Sequence, residues 1–209
     1  MSTGESHPVH GSEHGAAVPR CALEILAFWL GGEERVGNAE PRGVWFERDD
    51  EFDAEIERRF LPDHEKAAAG ELDGWLGTPE GALALVILLD QFPRNLFRGS
   101  PRAFATDVRA RDAAREAVRR GFDQRVSQVE RWFLYLPFEH SEDLEDQRLS
   151  VSLFAALGDD EESRRVHDYA VRHKEIVERF GRFPHRNETL GRVSTPEEEE
   201  FLSEPGSSF

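Results

Sequence analysis

A single cysteine, Cys21, in 209 residues leaves no partner for an internal disulfide, so the chain reads as one that works in a reducing compartment, the cytoplasm. Cys21 stands beside Leu23 and Ile25 at the start of an apolar helical pattern, which makes packing its expected role. Lysine is nearly absent: Lys66 and Lys174 are the only two, and the remaining strong bases are arginines. Acidic residues outnumber basic ones 42 to 26, a net charge of −16, so the surface repels nucleic acid and anionic membrane, and neither is expected as a partner. The longest apolar run, Ala82 to Leu89, is far too short to span a bilayer. The amino-terminal stretch lacks a signal-type apolar core. Also missing are GxGxxG after a strand, a GxxxxGK loop, a GxSxG elbow, HExxH and paired cysteines. No cofactor and no metal are therefore expected.

What the sequence does contain is helical periodicity. Hydrophobic residues make up only 38%, yet 15 Phe and 4 Trp supply bulky material for a real core. From Arg20 onward no segment alternates in strand fashion over more than a few residues. Gly and Pro divide the pattern into about nine predicted helices: 21–30, 49–60, 62–75, 78–91, 103–120, 127–136, 141–157, 161–180 and 196–203. Residues 1–19 lack apolar periodicity and read as a disordered tail, leaving 20–209 as a single all-helical domain. His7, His10 and His14 in the tail share a helical spacing, but nothing would hold that helix, so they are not taken as a metal site. The run Leu83–Leu89 is apolar on every side and marks a central, covered helix. The 161–180 segment has one stripe instead, and His173 lies in its middle, facing the core or a cleft cut into it.

One phrase is written twice: Phe92-Pro93-Arg94-Asn95-x-x-x-Gly99 and Phe183-Pro184-His185-Arg186-Asn187-x-x-x-Gly191. Each copy leads to a Ser/Thr-Pro, at Ser100-Pro101 and Thr195-Pro196, that can open the next helix. Pro after a helix and Asn in a left-handed position are stop signals, so each copy is expected to end its helix. Asp90, near the end of the most apolar helix, faces the negative end of the helix dipole and needs a cationic partner, for which Arg94 and Arg98 are nearest. In one reading the turns are only such locks. In the other, Arg94, Arg98, Arg182, Arg186 and Arg192, with Asn95 and Asn187, surround a concave site where planar guanidiniums receive a carboxylate or phosphate.

The segment from Tyr135 to Gln147 adds a third feature. Ser141 followed by Glu142 and Asp143 has the form of a helix cap with acidic first-turn residues. Gln147 shares a face with Leu144, Val151 and Phe154, as though it bonds something internal. His140, Glu142, His173 and His185 are the material for acid/base chemistry. Asp107 and Arg111 read as an ordinary i,i+4 pair.

Several of these strings, Leu88-Leu89-Asp90-Gln91-Phe92-Pro93-Arg94-Asn95, Ala103-Phe104-Ala105-Thr106-Asp107, Pro137-Phe138-Glu139-His140-Ser141-Glu142 and Arg179 to Asn187, together with Phe28-Trp29, Trp45-Phe46 and Gly70-Glu71-Leu72-x-x-Trp75, resemble the bacterial domain-of-unknown-function family 924 from Cys21 to Phe201. The resemblance implies an all-helical fold similar to tetratricopeptide repeats, with antiparallel hairpins in a right-handed array. It implies no activity. The tetratricopeptide consensus itself is not visible at its ~34-residue period. Family motif positions coincide with Asp90, Arg94, Asn95, His140, Glu142, Arg186 and Asn187.

Three functions fit these features. The first is a helical binding protein whose Arg/His/Asn-lined cleft takes an anionic small molecule or a peptide end. The second is a metal-independent, hydrolase-like enzyme for a phosphate or carboxylate compound, with His140 or His185 as proton carrier and Arg94 or Arg186 holding the anion. The third is an assembly protein, for which Trp45 and Phe46 should be exposed on a self-complementary patch.

Overall fold

The structure, a computed structural model, describes residues 17–207. The tail through residue 16, with its three histidines, lies outside them. Ile25, Leu26, Trp29 and Leu30 fall on one face of α1 (Arg20–Leu30) and bury it. Gly31, at φ 96°, closes the helix in the left-handed region. Cys21 and Leu23 share its outer face, so the thiol is exposed to solvent and not packed as its neighbours in sequence suggest.

Three prolines predicted to interrupt helices lie inside them. Pro62 sits within α2 (Asp50–Ala69), where Ile56, Phe60, His64 and Ala67 form a buried stripe that continues past it. Burial of that stripe outweighs the roughly 3 kcal/mol that an interior proline costs. Pro137 sits within α6 (Gln128–Glu139), whose extra turn carries Glu139 into the interior. The third case shapes the site. α3 (Pro79–Val86), a π turn over Ile87–Gln91 and α4 (Phe92–Leu96) make one continuous rod, so the helix runs on through Phe92-Pro93-Arg94-Asn95 and ends at Leu96, later in the first FP phrase than predicted. Pro93 brings no N–H to the carbonyls a turn behind it, and the π turn accommodates its ring. The carbonyls of Leu88 and Leu89 are taken instead by His64 Nδ1 at 2.8 Å and Thr106 Oγ1 at 2.6 Å, so no buried acceptor is stranded.

α5 (Asp107–Arg119), α7 (Leu144–Ala155), α8 (Glu161–Phe180) and α9 (Pro196–Leu202) complete the helices. With short 3-10 turns between them, and no strand among the described residues, the chain is all-α. α1, α5 and α6 pack on α3, whose residues Gly81 to Val86 are all buried, and α6, α7 and α8 follow as successive neighbours. A second, smaller apolar cluster, Ile176, Val177 and Phe183 with Phe180 and Phe201, lies beneath the C-terminal segment. Trp45 is buried against Trp29 and Phe133, its Nε1–H donating to the Trp29 carbonyl, and Phe46 alone of that pair is exposed. No helix among the described residues is long and apolar enough to cross a membrane.

Candidate functional site

The second FP phrase folds differently from the first. α8 stops at Gly181, with φ 69°, and Pro184–Arg186 form a 3-10 turn. Neither Asn95 nor Asn187 is left-handed; that conformation belongs to Gly99 and Gly191, at φ 69° and 66°, four residues further on in each copy. Ser100 caps the short turn after the first copy, and Thr195 with Glu198 forms a capping box on α9 after the second.

The arginines of the two copies meet at Asp107, on the first turn of α5. Arg94 Nη2 stands 2.9 Å from Asp107 Oδ1, and Arg186 Nη1 3.5 Å from Oδ2. Phe104 packs against both, with the Arg94 and Arg186 guanidiniums 4.7 and 4.8 Å from its ring centre, and Phe183 contacts Arg186 at 4.6 Å. These cation–aromatic contacts join both copies. Asp107 therefore does not pair with Arg111 as its spacing predicts. Arg111 and Arg115 turn to Asp146 on α7, at 3.3 and 2.6 Å.

Phe104 and Arg186, with Asp107, line a cleft of about 450 Å³ together with Arg111, His140, Glu142 and Leu190 among others, whereas Arg94 and Phe183 are not in its lining. Several buried polar atoms in and beside it lack an aligned hydrogen-bond partner in the protein: Arg186 Nε and Asp107 Oδ1, and Arg94 Nη2 next to them. Arg186 is 6% exposed. Burial and then the neighbouring Arg94 charge lower its pKa to about 10, which leaves it cationic at neutral pH but poorly compensated. Burial raises the Asp107 carboxyl, against the pull of Arg94.

On the opposite side, His140 Nδ1 donates to Asp90 Oδ1 at 2.8 Å. Asp90 is fully buried, with Gln91 donating to its other oxygen and Arg94 at 3.9 Å. Burial pushes its carboxyl upward, but His140, Arg94 and Gln91 together hold it below the ordinary aspartate value. The expected partners of Asp90 were Arg94 and Arg98; histidine is the close one. The loop carrying His140 is fastened by Gln147, whose Nε2 donates to the carbonyls of Glu139 and Ser141, each at 2.6 Å. Helix α7 starts later than predicted, at Leu144 with Asp143 as its cap, and Ser141 instead donates to Asp146.

Behind His140 lies a second pair. His173 Nδ1 is 2.9 Å from the Tyr169 carbonyl and 3.2 Å from Glu139 Oε1, and the two histidine rings are 6.4 Å apart. Burial lowers His173 to about 3 and raises Glu139 to about 8, Asp90 adding to the latter, so both are neutral at pH 7. His185, its ring tilted against Phe183 at 5.6 Å, is lowered to about 4 by burial and by Arg186.

The other predicted residues are drawn into structural ties. Asn95 and Arg98 both bind Asp53 on α2, away from the cleft lining. Arg182 makes two hydrogen bonds to Glu198, which also accepts from Asn187. Glu142 lines the cleft, but its carboxylate is clamped by Arg192 and the Phe183 N–H, which hold its pKa down against burial. Among the described residues no group of three or more His, Cys, Asp or Glu is placed to hold a metal ion. Asp107, Glu139 and Phe104 were not foreseen as site residues. Phe104 and Asp107 did stand in a string, Ala103 to Asp107, that belongs to the family resemblance.

The molecule is thus an all-helical protein with a cleft lined by Arg186, Asp107 and His140, the last held from behind by the buried Asp90. Over residues 25–206 the chain matches the model of the bacterial protein of unknown function family DUF924, and it belongs to that family. A solved structure, that of the protein of unknown function ATU0120 from Agrobacterium tumefaciens, is 46% identical, with a TM-score of 0.79 over 88% of this chain and 97% of that one. No curated protein matches.

Proposed function

We propose that the cleft binds a small molecule carrying a carboxylate or phosphate group, and that Arg186 of the second repeated phrase receives it, with Arg94 beside it at the shared Asp107. The observation that supports this most directly is Arg186: nine-tenths buried, cationic, in the cleft wall, with its ion pair to Asp107 stretched to 3.5 Å and its Nε without a hydrogen-bond partner in the protein. A buried charge with unmet hydrogen-bonding capacity is costly, and an incoming anion offsets that cost. The cytoplasm is the setting in which we place this activity.

A second reading rests on its own observation. Asp90 fixes the His140 ring through Nδ1, which leaves Nε2 as the ring atom able to exchange a proton, in a residue that lines the cleft. With an anion on Arg186, His140 then serves as general acid or base of a metal-independent enzyme, and Asp90 is its positioning residue.

Calorimetric titration with a panel of small carboxylates and phosphates tests the first reading. Arg186→Met should weaken binding by roughly thirtyfold, the value of a charge-assisted hydrogen bond, while circular dichroism stays unchanged. If no anion in the panel binds the wild type in the millimolar range, the binding reading falls. His140→Gln should keep the affinity and remove turnover of any ester or anhydride substrate found; turnover unchanged in that variant would eliminate the acid/base role.

A further inference from the structure

The cleft already contains an anion. Asp107 occupies the space between the two guanidiniums, at 2.9 Å from Arg94 and 3.5 Å from Arg186, and a second carboxylate, Asp90, stands 3.9 Å from Arg94. The charges facing one another here come from five elements: Asp90 on the π turn, Arg94 on α4, Asp107 on α5, His140 after α6 and Arg186 on the second FP turn. Arg111, also on α5, is taken by Asp146, and Glu142 by Arg192. Two guanidiniums stand against two carboxylates, so the arginines carry no spare positive charge, and every negative charge that a ligand adds meets Asp107 as well as Arg186.

We propose that Asp107 is a built-in counter-anion that makes the cleft selective for singly charged anions, carboxylates foremost, over doubly charged phosphate esters. This rests on the anion-binding reading and adds the charge the ligand must carry. Selection of this kind works by repulsion: the dianion is refused because a buried carboxylate lies beside its seat, not because the monoanion is held better. Asp107 is 8% exposed, so water screens it poorly. Its carboxyl is raised by burial, so acidification neutralises Asp107 before an exposed aspartate and relaxes the discrimination.

Methanesulfonate and sulfate give a clean test, since both present a tetrahedral sulfur-oxygen head and differ by one charge. Neither titrates near neutrality, as inorganic phosphate would. Calorimetry at pH 7.5 should find methanesulfonate binding the wild type about tenfold tighter than sulfate, and Asp107→Asn should shift that ratio roughly tenfold toward sulfate. Sulfate binding the wild type as tightly as methanesulfonate overturns the proposal, as does an unchanged ratio in a folded Asp107→Asn protein. Should that variant not fold, the wild-type ratio alone decides. If neither ion binds the wild type, and small carboxylates also fail, the anion-binding reading falls with it. If the ions bind with the wrong preference, only the role of Asp107 falls.

Discussion

Phe92-Pro93-Arg94-Asn95 lies in the last turn of a continuous rod, with Phe92 in the main core, whereas Phe183-Pro184-His185-Arg186-Asn187 holds a 3-10 turn resting on the small C-terminal cluster. The first copy is held by burial and by side chains that answer its free carbonyls. The second is held by polar ties: Glu142 to Arg192 and the Phe183 N–H, and Glu198 to Arg182, Asn187 and Thr195. The asparagines go separate ways, to Asp53 and to Ser194 with Glu198. Only the arginines do the same thing, meeting at Asp107 and Phe104. Equal letters in unequal surroundings, with one shared destination, separate what serves the cleft from what serves the local chain.

Removing Asp90 should break the comparison hardest, because it strips a fully buried counter-charge from the first copy. Asp90→Ala is expected to cost about 3 kcal/mol in urea unfolding at pH 7. Its folded carboxyl lies below the unfolded value, so its contribution is complete above the ordinary aspartate value of about 4 and is lost as the pH falls below it. The gap between variant and wild type should therefore narrow in acid. A loss under about 1 kcal/mol at pH 7 would show that the core does not need the Asp90–His140 pair.

At the second copy, Glu198→Ala should cost about 2 kcal/mol, through the capping box and the ties to Arg182 and Asn187. Its effect should be local. Amide exchange should quicken in α9 and around Phe183 while α3 stays protected. Equal acceleration in both places would mean the small cluster and the main core open as one unit.

Asn95→Ala should do least. Asp53 keeps its two hydrogen bonds from the exposed Arg98, so the loss should be under about 1 kcal/mol, with anion affinity unchanged. A clear fall in affinity without a fall in melting temperature would place Asn95 in the binding machinery after all.

Much of this molecule was legible in its residues. Gly and Pro punctuation between helical stretches, the helix start at Thr195-Pro196 and the all-apolar run of α3 announced an all-helical chain. Gln147 stood out as polar among apolar neighbours, and it does bond internally, holding the carbonyls beside His140. The prolines misled because a proline costs a fixed, modest amount, and a buried stripe or a π turn with outside donors can outweigh it. Asp107 misled because spacing within a helix sees only that helix. Arg111 was the obvious neighbour, yet Asp146 on α7 competes for it.

Taken alone, the sequence determined the all-helical class, the approximate course of most helices, and the arginine phrase worth following, since these depend on residues within a turn or two of one another. Which groups share the cleft was decided by tertiary structure. Asp107 meets Arg186, and Asp90 meets His140, only after α3 is covered on several sides and the second phrase folds back over α5. Charge pairing across such distances follows from burial, which raises the cost of every unpaired charge until the chain brings a partner to it.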